Sequence, residues 1–247
     1  MTPTLPADCR LTVYEAIGST NEEAKRLAAE GALDKTFVWA REQTAGRGRR
    51  GNDWISPPGN LYLSVILRPD CDVATAAQLG FVAALALADA IVARTGAEPR
   101  LKWPNDLLIG GRKVSGILVE SAGGQGGKVD WAVIGTGVNV ASHPENLPAV
   151  TSLSALGSHV TVADMVETYA NSLLARVAQW RLRGFGVVRE AWLDRATGIG
   201  TVIRVRLPDR EEEGVFEDLD ETGALVLVQG SHRQRITSGD VYPAVAA

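Results

Sequence analysis

The chain has 247 residues, 45% hydrophobic and 22% charged, a balance that suits a folded protein and excludes wholesale disorder. A net charge of −4 offers no general attraction to nucleic acid. Two cysteines, Cys9 and Cys71, are too few for a disulfide framework or a metal cluster, and they read as free thiols in a reducing compartment.

The first eight residues lack the basic start and apolar run of a signal peptide, so the cytoplasm is the expected location. A short strand is predicted at residues 12–14. Ser19-Thr20-Asn21-Glu22-Glu23 then has capping-box spacing, from Ser19 to Glu22 or from Thr20 to Glu23, with Ala24, Leu27 and Ala28 on one helical face. Gly31 is the expected C-terminal stop. Residues 37–40 read as a buried strand that enters a loop rich in Gly and Arg at residues 43–52. A second strand is expected at residues 61–67. Residues 73–95 form a long apolar helix, interrupted by Gln78 and Asp89; it reads as a core helix and not a membrane span.

Residues 101–103 predict a short strand halted by Pro104. Residues 107–109, Gly110-Gly111 and residues 113–120 predict a hairpin, and residues 131–140 another strand. Thr161 opens a helix whose Met165, Tyr169, Leu173, Val177 and Trp180 step by three or four, with Gly184 as its stop. A shorter helix is expected at about residues 186–195. From Thr197 onward, β-rich runs at 201–207, 214–219, 224–228 and 233–237 predict a small barrel packed on the rest. The expectation is an α+β catalytic domain over residues 1–195, with a mixed or antiparallel central sheet and helices on one face, and a small β-barrel over residues 196–247.

Four segments carry candidate chemistry. Gln43-Thr44-Ala45-Gly46-Arg47-Gly48-Arg49-Arg50-Gly51 combines glycines that allow close backbone approach with arginines that offer forked donors to phosphate or carboxylate. By itself it could equally be a solvated turn, and it lacks the ending of a P-loop and the helix of a dinucleotide fingerprint. Lys102-Trp103-Pro104-Asn105-Asp106 could cap a turn or hold a ligand. Lys113, at the start of an apolar strand running to Glu120, could be an ordinary edge lysine or an anion partner. Gly135-Thr136-Gly137-Val138-Asn139 places glycines inside a strand, a sign of close approach.

Taken in order and spacing, Ser19-Thr20-Asn21 and these four segments resemble the biotin protein ligases. The resemblance covers about residues 10–195, and the C-terminal part more loosely. It implies a class II synthetase-like catalytic domain with an SH3-like C-terminal barrel, and the short, monofunctional type without an N-terminal DNA-binding domain. It implies that biotin and ATP are joined, with Mg²⁺, as biotinyl-5′-AMP, and that biotin then passes to a lysine of the biotin carboxyl carrier protein of acetyl-CoA carboxylase.

Ser19, Thr20, Asn21, Gln43, Gly46, Arg47, Gly48, Arg49, Lys113 and Gly116 are the implied biotin contacts. Arg49, Arg50, Gly51, Trp54, Lys102, Asn105, Lys113 and Asn139 are the implied adenylate contacts. Lys113, Arg47, Arg49, Lys102 and Asp106 form the implied catalytic set, with Asp106 also a candidate Mg²⁺ ligand. A lipoate or octanoate protein ligase and a non-catalytic biotin-binding module remain open, as does a homodimer. Neither nucleic acid nor membrane is an expected partner.

Overall fold

The computed structural model describes residues 3–244. Seven strands form the larger sheet: β1 (Arg10–Tyr14), β2 (Thr36–Ala40), β3 (Leu61–Leu67), β4 (Arg100–Lys102), β5 (Asp106–Ile109), β6 (Arg112–Gly123) and β7 (Val129–Val138). Their spatial order is β1-β2-β3-β7-β6-β5-β4. Only β1 and β2 run parallel; the other neighbours are antiparallel, so the sheet is mixed. Gly110 and Gly111 both take positive φ in the two-residue turn between β5 and β6, a conformation that glycine reaches without steric cost.

Side-chain alternation divides the sheet into two faces. Phe37 and Trp39 of β2, Leu63 and Val65 of β3, and Ala132 and Ile134 of β7 join the main core, together with α3 (Leu79–Thr95), α4 (Val162–Arg183) and α5 (Phe185–Leu193). Val38, Ile66 and Val133 point the other way, onto Ala24 and Ala28 of α1 (Thr20–Ala29). The expectation of helices on one face therefore describes α3 to α5, while α1 covers part of the opposite face. That second face carries the site described below.

The apolar stretch at 73–95 is two helices, α2 (Val73–Ala76) and α3. Asp72 caps the first through Thr75 N at 2.7 Å. Gln78 falls at the break, where its Oε1 accepts from Trp180 Nε1 at 2.9 Å. Asp89, the charge inside α3, accepts from Arg176 of α4 at 2.8 Å and from Arg195 at 2.7 Å. The one carboxylate of α3 is thus matched by two guanidinium groups.

Five further strands, β8 (Val202–Arg206), β9 (Glu211–Leu219), β10 (Leu225–Gln229), β11 (His232–Ile236) and β12 (Asp240–Pro243), form a second, antiparallel sheet in the order β11-β10-β9-β8-β12. The first four match expected runs; β12, short and ending in proline, was not anticipated. Trp103 Nε1 donates to Gly223 O at 3.1 Å, and Arg189 Nε donates to Leu219 O at 2.6 Å. These bonds fix the second sheet against the first.

Candidate active site

Ser19 occupies the N-cap position of α1, yet its side chain makes no capping hydrogen bond, and neither capping box forms. The polar groups at this helix start turn into the molecule instead. Thr20 N and Thr20 Oγ1 both donate to Gln43 Oε1, at 2.8 and 3.0 Å. Ser64 Oγ donates to Asn21 Oδ1 at 2.7 Å and lies 2.8 Å from Thr20 Oγ1. Asn21 Nδ2 donates to Glu120 Oε2 at 2.9 Å. Thr20, Asn21 and Ser64 are buried. The result is a neutral polar floor enclosed by apolar strands.

Two glycines of β7 make room for this floor and its wall. A Cβ at Gly135 would overlap Asn21 Oδ1, and one at Gly137 would come within 2.5 Å of Trp54 Nε1. The Trp54 indole packs in the space left by Gly137 and Gly116, and its buried Nε1 has no hydrogen-bond partner.

The loop at residues 43–52 roofs the cleft. Gly46 has no room for a side chain, because a Cβ there would overlap Ser56 Oγ and Trp54 O. Gly48 N donates to Asn52 O at 2.7 Å, which closes the loop on itself. Arg47 reaches Glu22 of α1 at 2.7 Å. Arg49 lies deeper, with only long bonds of 3.4 Å to Asn105 Oδ1, 3.4 Å to Gly239 O and 3.5 Å to Ser238 Oγ. Burial pushes its guanidinium below the usual arginine range, opposed by the negative charges of Asp240 and Asp106. A weakly bonded, partly desolvated guanidinium is suited to receive an anion.

Lys113 sits in the sheet interior and not at an edge. Its backbone N donates to Ala149 O and its carbonyl accepts from Thr151 N, each at 2.8 Å. A bulge at Val114 shifts the β5–β6 register and turns the Lys113 side chain into the cleft. There Nζ stands 2.6 Å from Asp106 Oδ1 and 5.4 Å from the centre of the Trp54 ring. The cleft holds about 750 Å³ of empty space, part of it open to solvent, and is lined both by the polar floor and by Arg49, Asn105 and Lys113. Its chemistry combines neutral hydrogen bonding at the floor with the cations Arg49 and Lys113.

Comparison with known proteins shows the family. Residues 13–139 match the model of the biotin/lipoate A/B protein ligase family, and residues 198–242 match the biotin protein ligase C terminal domain. A biotin--[acetyl-CoA-carboxylase] ligase of Paracoccus denitrificans is 42% identical over 233 residues, 91% of this chain and 96% of that protein. The chain belongs to the biotin protein ligase family. A second ligase of the same description, from Mycobacterium tuberculosis, is 35% identical and covers 94% of this chain and 88% of its own length. The solved structure of the biotin protein ligase from Aquifex aeolicus in complex with biotin and ATP superposes with a TM-score of 0.81 at 26% identity, covering 94% of this chain and 97% of that one.

In this biotin protein ligase, Ser19, Thr20, Asn21, Gln43, Arg47, Gly48, Arg49, Trp54, Asn105, Asp106, Lys113 and Gly116 all line the one cleft. Gly46 stands behind it, as packing described above. Four expected adenylate contacts lie elsewhere. Arg50 turns to the second sheet, with Nη1 3.1 Å from Asp240 Oδ2 and Nη2 3.2 Å from Ser238 Oγ. Gly51 takes φ 75 at the turn and does not line the cleft. Lys102 lies with its Nζ 5.4 Å from the Tyr242 ring centre and 3.9 Å from Asp106. Asn139 is buried and donates to Thr151 O at 3.0 Å, bracing the segment that flanks Lys113.

Sequence reasoning missed Ser64, Tyr62 and Asp240. A lone serine in the apolar run Leu61–Leu67 was the available signal for the first. Burial raises the Tyr62 phenol well above its ordinary range, so it lines the ligase cleft as a neutral group. Nothing local marked Asp240. The side chains do not build a magnesium site at Asp106: its oxygens face Lys113 and Lys102. Among the described residues, no group of three or more His, Cys, Asp or Glu is placed to hold a metal.

Proposed function

We propose that the cleft joins biotin to AMP and passes it to a carrier lysine, with residues 1–195 as the catalytic unit and residues 196–247 as its C-terminal support. The carrying observation is one cavity lined both by a neutral polar floor and by Arg49 and Lys113. The ureido ring of biotin presents one acceptor and two donors, which Ser19, Thr20, Asn21 and Gln43 can satisfy in an otherwise apolar setting. The carboxylate tail then extends towards Arg47, Arg49 and Lys113.

The first step brings two anions together. A biotin carboxylate oxygen attacks the α-phosphorus of ATP, the bond to the bridging oxygen breaks, and pyrophosphate leaves. Arg49 and Lys113 offset the charge that gathers on the phosphoryl oxygens. Asp106 holds the Lys113 ammonium in place, and Trp54 covers the adenylate beside Asn105. In the second step the ε-amine of a lysine on the biotin carboxyl carrier protein attacks the acyl carbon, AMP leaves, and the amine loses a proton. No side-chain nucleophile is needed. Mg²⁺ would arrive with ATP and offset phosphate charge, while Asp106 stays paired with Lys113.

The cytoplasm, where ATP and carrier meet, is the proposed location. Pyrophosphate exchange into ATP tests the reading. It should depend on biotin and not on lipoate; exchange with lipoate, or none with either, would overturn it.

A further inference from the structure

Glu120 touches none of the cleft's empty space, yet it is tied to its floor. One carboxylate oxygen accepts from Asn21 Nδ2 at 2.9 Å, and the other accepts from Lys25 Nζ at 2.8 Å. We propose that Glu120 is a positioning residue for biotin recognition: it fixes which end of the Asn21 amide faces the ligand. The inference rests on the reading of this floor as the biotin ring site.

The argument is one of donors and acceptors. A carboxylate only accepts, so Asn21 must turn its NH2 towards Glu120 and its oxygen towards Ser64. The Ser64 hydroxyl has one proton, and Asn21 Oδ1 at 2.7 Å takes it. At the other end, Thr20 N–H only donates, so Gln43 must turn its oxygen to Thr20 and its NH2 to Ser56 Oγ, 3.0 Å away. The two amides are therefore oriented by two groups whose roles cannot reverse. The Thr20 hydroxyl proton, shared between Gln43 Oε1 and Ser64 Oγ, is the one freedom left in this set.

Asn21 Oδ1 keeps a second lone pair for a ligand N–H, which a ureido ring supplies and a dithiolane does not. A flipped Asn21 would present an N–H to that N–H and turn its oxygen onto the Glu120 carboxylate. In the buried floor, each mismatch is costly.

Lys25 makes the role testable, because it competes for the same group. Gln at position 120 has a single acceptor oxygen, and the Lys25 ammonium is the stronger claimant. Glu120→Gln should therefore release Asn21, raising the KM and Kd for biotin by about ten- to a hundredfold, with kcat at saturating biotin within about twofold of the parent. Lys25→Met alone leaves the carboxylate to Asn21 and should bind biotin as the parent does. The double variant Lys25→Met/Glu120→Gln frees the glutamine oxygen for Asn21 and should regain most of the lost affinity.

Calorimetric biotin titration and exchange kinetics on the full chain read all four proteins. Unchanged affinity in Glu120→Gln overturns the proposal, and so does a loss that the double variant fails to relieve, since a merely structural glutamate would not be rescued by removing its own ion-pair partner. If the parent itself fails to bind biotin, the reading of the floor falls first, and the result is distinct from either.

Discussion

Lys113 and Gly116 lie on the same face of β6 although they stand three positions apart. Regular pleating assigns an odd separation to opposite faces. Leu107 pairs with Ser115 and Leu108 with Lys113, so Val114 is the extra residue of a bulge. The bulge sends Val114 into the core and brings Lys113 Nζ to 3.4 Å from where a Gly116 Cβ would stand. The ammonium thus reaches the cleft from a position that a regular strand would bury.

Lys113→Ala should remove biotin-dependent pyrophosphate exchange far more than it disturbs folding. A loss of about a hundredfold or more is expected for a group that offsets charge only as the phosphoryl transfer proceeds. Because the Lys113–Asp106 pair is partly solvated, the stability change should stay near ~1 kcal/mol or below. Normal exchange rates in this variant would remove Lys113 from the chemistry.

Arg49 is about one-fifth exposed and makes only weak, long hydrogen bonds. Arg49→Gly should release biotinyl-5′-AMP faster than the parent, because the loop then loses its grip on the phosphate. Rapid filtration of radiolabelled intermediate measures this. Equal retention in the two proteins would assign Arg49 to structure alone.

Gly135→Ala tests the close approach between β7 and Asn21. The added methyl overlaps the Asn21 amide, and overpacking of this kind costs about 1–3 kcal/mol. A biotin KM raised about tenfold or more is expected, with the ATP KM nearly unchanged. A selective rise in the ATP KM would contradict the placement of Asn21 at the biotin end.

Arg50 and Asp240 join the glycine–arginine loop to the second sheet at 3.1 Å, with side chains roughly one third exposed. Asp240→Asn should loosen the loop and leave the global melting point almost unchanged, as exposed pairs contribute about 1 kcal/mol or less. Trypsin cleavage after Arg47, Arg49 or Arg50 should become faster. An unchanged cleavage rate would mean that the loop is held from the catalytic side only.

Most elements and their order are legible in the sequence. Gly110-Gly111 marked the hairpin, Thr161 and Gly184 bounded α4, and the Gly135-Thr136-Gly137 run signalled a close approach that the Trp54 ring and Asn21 amide now explain. These are local effects, set by backbone sterics and side-chain period, and a local reading finds them. The family is legible there as well, through the ordered segments from Ser19 to Asn139.

Which of those residues share the cleft is set by long-range packing. Ser19 and Thr20 look like a capping box because capping is the best local use of their hydroxyls, yet the floor of the cleft takes Thr20. Arg49 and Arg50 are adjacent and alike, but one turns inwards and the other to Asp240, 190 residues away in the chain. Lys102 and Asn139 belong to segments that fit the family and still stand outside the cavity. A bulge, a turn of φ and a partner on a distant strand fix where a side chain points, and none of these has a signature in the neighbouring residues.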